Sequence, residues 1–163
     1  QHRTPEHTDR RDGYLHPLSA TGHVSEATSH VLVRAFTEEE LHELEAVLAA
    51  AAAWVERKYP GARVSLEVKP SYRNMRYALE EFPEVVASAE EAVRRAGFAP
   101  HRGAIRGGTD GARLSFMGLP TPNLSNGSMN PHGLKECVAL EWMDRSAETI
   151  QHLLDIWVER ASA

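Results

Sequence analysis

The stretch from Thr37 to Gly61 limits the possible folds of this 163-residue chain more than any other. Thr37 precedes Glu38-Glu39-Glu40. That order puts a hydroxyl at a helix N-cap, a glutamate three residues on, and acids near the positive end of the helix dipole. Leu41, Leu44, Val47, Leu48, Ala51, Val55 and Tyr59 follow, mostly at spacings of three and four, so they share one apolar face. Pro60-Gly61 stops the run. Alternating segments flank it. Gly13 to Leu18 continuing through Ala20 to Val24, and Ser29 to Phe36 with Val31, Val33 and Ala35, predict strands before the helix. Val64, Leu66 and Val68 predict another after it. This order implies an antiparallel sheet with helix cover, an α+β layer. Residues 1–12 are polar and read as an irregular lead-in.

The second half changes character. Val85, Val86, Ala89, Ala92 and Val93 predict a helix over Pro83 to Ala96, closed by Gly97. His101 to Ile105 is expected to extend as a strand into a glycine pair. Asp110 is the expected cap of a two-turn helix through Met117, stopped by Gly118 and Pro120. Residues 121–137, rich in Asn, Gly, Ser and Pro, predict a loop. Ser146 to Ala161 carries Ile150, Leu153, Leu154, Trp157 and Val158, a final amphipathic helix. Trp54 and Trp157 lie on apolar faces and read as core.

Composition narrows the function. The net charge of -5 and the absence of a basic stripe exclude a nucleic-acid surface. No apolar run approaches the roughly 20 residues that cross a bilayer, so no membrane partner is expected. The first residues lack the apolar core of a signal peptide. They also lack an initiator methionine, so the chain is expected to begin inside a longer one. Cys137 is the only cysteine, which fits a reducing, cytoplasmic setting, and it reads as a small buried hydrophobe.

The chemistry centres on Arg106-Gly107-Gly108-Thr109-Asp110. Adjacent glycines let backbone amides approach a ligand with no Cβ in the way. About two dozen residues on, His132 stands between Pro131 and Gly133, where a loop can aim one imidazole. A guanidinium grips a carboxylate bidentately, and a neutral imidazole is a good zinc ligand.

The runs Arg106-Gly-Gly-Thr-Asp-Gly-Ala, Leu114-Ser-Phe-Met-Gly-Leu-Pro, Pro122-Asn-Leu and Asn130-x-His-Gly-x-x-Glu136 resemble the C-terminal region of the tripeptide aminopeptidases of the zinc-dependent M20 peptidase family. Ser71-Tyr72-x-Asn74-Met75-Arg76 resembles the segment where that family's lid returns to its catalytic domain. Thr4-Pro5-Glu6 and Gly13-Tyr14 are similar to parts of the lid. The resemblance implies an α/β fold: a partial lid or dimerisation domain over 1–76 and the C-terminal part of a zinc-peptidase catalytic domain over 77–163. It implies that His132 is the last ligand of a two-zinc site. It assigns Arg76, with Asn74 beside it, to the substrate's terminal carboxylate. Gly107, Gly108, Thr109 and Asp110 would line the pocket, and Arg106 reads either as a carboxylate binder or as a charge on the pocket rim.

The expected substrates are small peptides, tripeptides above all. Expected protein partners are a second copy through the lid and the missing N-terminal catalytic region. The family's other ligands, from a His-x-Asp, an aspartate, a glutamate pair and another aspartate, precede its lid. His7-Thr8-Asp9 has the letters of the first but lies in the polar lead-in. Glu80-Glu81 and Glu90-Glu91 read as solvated helix faces. One histidine cannot hold a catalytic zinc, so the chain alone is expected to be inactive. Ser125, Ser128, Met129, Pro131 and Cys137 depart from the family pattern around the loop. The alternatives are a non-catalytic dimerisation or binding module, or a sister carboxypeptidase or acylase activity.

Overall fold

A β-hairpin followed by a long helix organises the first part of the chain. The computed structural model describes residues 3–162; Gln1 and His2 of the expected lead-in, and Ala163, lie outside that range. Strands β1 (Tyr14–Gly22) and β2 (Ala27–Arg34) pair antiparallel, from Tyr14 opposite Arg34 to Gly22 opposite Ala27. The register slips between Pro17 and Ser19. Pro17 has no N–H to give the ladder, and a bulge is where a strand tolerates that. Helix α1 (Glu38–Lys58) packs against β2. Its Thr37 hydroxyl accepts the Glu40 amide at 3.2 Å, the cap predicted from sequence. Tyr59 closes it, and Gly61 follows at φ +94°, a conformation that favours glycine. Leu44, 1% exposed, is its buried anchor.

The lead-in is more ordered than expected. Pro5–His7 forms a short 3₁₀ turn, and the Leu15 amide donates to the Arg3 carbonyl at 2.7 Å. Glu40 Oε1 accepts from the Gly13 amide at 2.7 Å and from Arg3 Nη1 at 3.2 Å, so the helix start holds the entry to β1.

The chain divides into two compact units, Gln1–Asn74 with Ala104–Gly108, and Met75–Gly103 with Thr109–Ala163. The second unit is helical: α2 (Arg76–Leu79), α3 (Pro83–Arg95), α4 (Asp110–Phe116) and α5 (Leu140–Ala161). Small residues on α3 (Ser88, Ala89, Ala92) are buried, and α5 packs on that helix with Ile156 buried. The buried hydroxyls of α3 and α5, Ser88 and Thr149, each donate to the carbonyl four residues back, at 2.7 and 2.8 Å. Arg95 grips Glu159 with two hydrogen bonds, at 2.8 and 2.9 Å, across α3 and α5. The molecule is thus of mixed α and β structure, with its one described sheet in the first unit.

Several expectations fail. Val64, Leu66 and Val68, and likewise His101 to Ile105, form no ladder among the described residues. Alternation reports where side chains could point, but a strand also needs a neighbouring backbone edge, and none pairs here. Thr109 holds the N-cap position of α4 without a side-chain cap hydrogen bond, and Asp110 is already the first helical residue. Helix α5 begins six residues before Ser146, because its first turn (Leu140, Trp142, Met143) is exposed and gives no one-sided apolar pattern. Trp54 and Trp157 are 50% and 39% exposed, not core. Trp54 serves instead as a platform for the Lys58 ammonium, 4.5 Å from its ring centre. Cys137 is exposed, because it lies in a surface loop bridge rather than in packed structure.

Candidate functional site

In the first unit the site is assembled from the C-terminal end of β2, the segment before Asn74, and the Arg106 run. Arg106 is half-buried and heavily engaged. Its Nη1 donates to the Thr8 carbonyl at 2.9 Å, and its Nη2 donates to Thr8 Oγ1 at 2.6 Å and the Asp12 carbonyl at 3.4 Å. The guanidinium also stacks 4.5 Å over the Tyr14 ring. Its terminal nitrogens therefore hold the 8–12 segment, which accounts for Thr8 being half-buried between the exposed His7 and Asp9. Its Nε is buried with no hydrogen-bond partner.

Gly107 has open space where a side chain would project, whereas Gly108 has none. A methyl on Gly108 would fall on Cζ, Oη and Cε1 of Tyr72. The glycine is thus required by an aromatic ring lying against its backbone. Arg34, from the end of β2, stacks 4.7 Å from the same ring. Tyr72 Oη and Arg34 Nε are buried and unpartnered as well. Asn74 points its amide elsewhere, with Nδ2 donating to the Phe36 carbonyl at 3.1 Å. Neither Arg34 nor Tyr72 was marked by the sequence reading as a site residue. Arg34 ends an alternating strand, where an arginine looks like an ordinary polar terminus. Tyr72 lies inside the Ser71-to-Arg76 motif, but nothing in its spacing shows that it meets Gly108.

In the second unit, Arg76 opens α2, where its Nε donates to Glu80 at 2.8 Å and its guanidinium lies 5.6 Å from the Tyr77 ring. Thr109 Oγ1 is buried without a partner, while Asp110 is exposed on the first turn of α4. The start of α4 packs tightly on residues 121–123, since a Cβ on Gly111 would come within 2.5 Å of the Thr121 carbonyl.

His132 lies in a loop closed by a two-way bridge, the Met129 amide to the Cys137 carbonyl at 2.8 Å and the reverse at 3.2 Å. Asn130 and His132 have φ of +53° and +65°. Left-handed backbone at two non-glycine residues costs roughly 1–3 kcal/mol each. Asn and His are among the side chains that tolerate it best. Glu136 Oε2 accepts the His132 amide at 3.1 Å, and the Gly133 amide donates to the Asn130 carbonyl at 3.0 Å. The exposed imidazole is thus displayed on a braced turn. Among the described residues, no three His, Cys, Asp or Glu side chains gather where a metal ion could be held. The described donor set does not make a complete zinc centre.

Of the acid pairs, Glu80-Glu81 lies in the turn between α2 and α3, and Glu90-Glu91 is engaged on the α3 surface. Glu91 accepts from Arg94 at 2.9 Å and Arg95 at 3.3 Å, and Glu90 from Arg102 at 2.5 Å. Hydrogen bonds from these arginines hold both carboxyls below the ordinary carboxylate value.

No protein-family model matches the chain. Curated relatives do. Peptidase T of Geobacillus kaustophilus (strain HTA426) is 39% identical over 161 residues, covering 99% of this chain and 39% of that protein. The chain is similar to peptidase T along almost its whole length. Peptidase T of Listeria welshimeri is 39% identical over 156 residues, covering 96% of this chain and 38% of the relative. Peptidase T of Aeromonas hydrophila is 40% identical over 151 residues, covering 93% and 37%. The chain therefore spans about two fifths of the length of these peptidase T relatives. No described helix is long and apolar enough to cross a membrane.

Proposed function

We propose that this chain supplies the substrate-gripping surface and one metal-ligating histidine of a peptidase T-like aminopeptidase, a hydrolase that removes the N-terminal residue of tripeptides. The observation that carries the reading is the set of buried, unpartnered donors in the first unit: Arg34 Nε, Arg106 Nε and Tyr72 Oη. A buried donor left unbonded costs about 1–3 kcal/mol, so three in one unit call for an acceptor. A peptide's terminal carboxylate has that chemistry, with two oxygens and about four lone-pair sites. Within the first unit Arg34 is the principal cation, because Arg106 spends its terminal nitrogens on Thr8 and Asp12. Gly108 lets Tyr72 lie against the loop, and Tyr72 in turn orients Arg34. By resemblance Arg76, with Asn74 beside it, keeps its assignment to the substrate's terminal carboxylate, and Gly107, Gly108, Thr109 and Asp110 keep theirs to the pocket lining.

His132 is assigned one position of the family's zinc site. Zinc, when bound in a complete centre, supplies an activated water. The described residues do not complete such a centre, and no hydrolytic step is ascribed to them. The remaining ligands belong to polypeptide that the longer relatives possess. The enzyme acts in the cytoplasm on soluble peptides.

The test is a titration of isotopically labelled protein with a tripeptide and with its C-terminal amide. The free acid is expected to shift the Arg34 Nε–H resonance, with the response lost in Arg34→Gln. Equal responses to acid and amide would refute carboxylate recognition.

A further inference from the structure

We infer that Asn126-Gly127 is a site of spontaneous backbone-assisted deamidation, placed in the loop that leads into the His132 turn. This inference does not depend on the aminopeptidase reading. Succinimide formation needs three things: a nucleophilic backbone nitrogen on the next residue, a polarised side-chain amide, and no side chain crowding the ring that forms. The loop provides each of them. Gly127 brings no Cβ, and its amide N–H donates to Ser125 Oγ at 3.2 Å, an acceptor that polarises the N–H while solvent base takes the proton. The Asn126 carbonyl oxygen Oδ1 accepts the Ser128 amide at 3.0 Å. That bond pulls density from Cγ and sits where the tetrahedral intermediate's oxyanion develops. Both Ser125 and Asn126 are exposed, so water reaches the site.

In the reaction the Gly127 nitrogen bonds to Asn126 Cγ as its proton leaves. The Cγ–Nδ2 bond breaks, and ammonia departs with a proton that solvent returns. Water then opens the cyclic imide, at Cγ to give aspartate or at the main-chain carbonyl to give isoaspartate. The balance is one water consumed and one ammonia released, with no oxidation or reduction.

The other described asparagines lack this arrangement. Asn130 precedes Pro131, whose nitrogen carries no hydrogen and cannot close the ring. Asn74 and Asn123 precede Met75 and Leu124, whose side chains crowd the attack. Product formation puts a negative charge into a loop whose glycine is packed against Trp142, where a Cβ on Gly127 would lie 2.5 Å from the tryptophan Cβ. Isoaspartate also adds a backbone carbon there. Ageing of this loop therefore bears on the turn that displays His132.

The experiment incubates the full chain in mildly alkaline buffer and follows peptide masses, with a urea-unfolded sample alongside. The expected result is a gain of about one dalton confined to the peptide holding Asn126, with isoaspartate present and a folded-state rate at or above the unfolded one. Ser125→Ala should slow the folded-state rate by about fivefold, one ordinary hydrogen bond's worth, without changing the unfolded rate. Asn126→Gln should abolish the mass gain. A folded-state rate well below the unfolded one, or equal rates in Ser125→Ala and the parent, would overturn the inference.

Discussion

Replacing Gly108 by alanine tests the contact on which the first unit's donor cluster is built. The new methyl would occupy the place of the Tyr72 phenol, so either the ring swings away or the backbone retreats. Forced overpacking of this kind costs about 1–3 kcal/mol. If the ring leaves, its cation–π contact with Arg34, now at 4.7 Å, adds about 0.5–1 kcal/mol. The expected loss is about 2–3 kcal/mol, which at a urea m-value near 2 kcal/mol per molar lowers the unfolding midpoint by roughly 1 M. Tyr72→Ala removes the obstacle. Gly108 does not have positive φ, so alanine there is otherwise tolerated. In the Tyr72→Ala background, Gly108→Ala should therefore be neutral or stabilise by about 0.4–1 kcal/mol through the unfolded chain. The double-mutant cycle should return a coupling of about 2–3 kcal/mol. If Gly108→Ala costs the same with and without Tyr72, the account of why this position is glycine is wrong.

Two further outcomes follow from the geometry. Arg106→Lys loses the fork that holds Thr8 and Asp12, and hydrogen exchange of the 9–12 amides should speed up about tenfold or more; unchanged protection would show that the fork holds nothing. The Arg95 hydrogen bonds keep the Glu159 carboxyl below its ordinary value of 4.5. A depressed folded-state value adds stability that is present above the unfolded pKa and is lost as pH falls through the folded one. The difference in Tm between the parent and Glu159→Gln should therefore be widest at neutral pH and close under acid conditions below 4.5; a difference constant with pH would contradict this.

The helices were the legible part of the sequence because their signals are local. Thr37 with Glu40 marks a start, Gly61 and Gly97 mark stops, and the apolar spacing of α3 names its buried face. The β-hairpin was readable for the same reason, as two alternating runs close in sequence. Val64 to Val68 misled because a ladder is a property of two segments, and alternation describes only one. Trp54 misled because an aromatic on an apolar stripe can cover a lysine stem at the surface. At the candidate site, motif letters identified Gly107, Gly108 and His132, and of the two glycines only Gly108 is demanded by a close approach. Motif letters did not disclose that Tyr72 occupies the space at Gly108, that Arg34 stacks on it, or that Arg106 is held by the lead-in. Those facts arise from contacts between residues distant in sequence, and no spacing rule encodes them.

The most direct test of the central claim is an activity measurement on mixed polypeptides. This chain, a polypeptide carrying the remainder of Geobacillus kaustophilus peptidase T, and their mixture would each be assayed for tripeptide cleavage with zinc present. Cleavage is predicted only in the mixture, and it should disappear when His132→Ala replaces the parent chain. Cleavage by this chain alone, or a mixture whose rate is indifferent to His132→Ala, would contradict the claim.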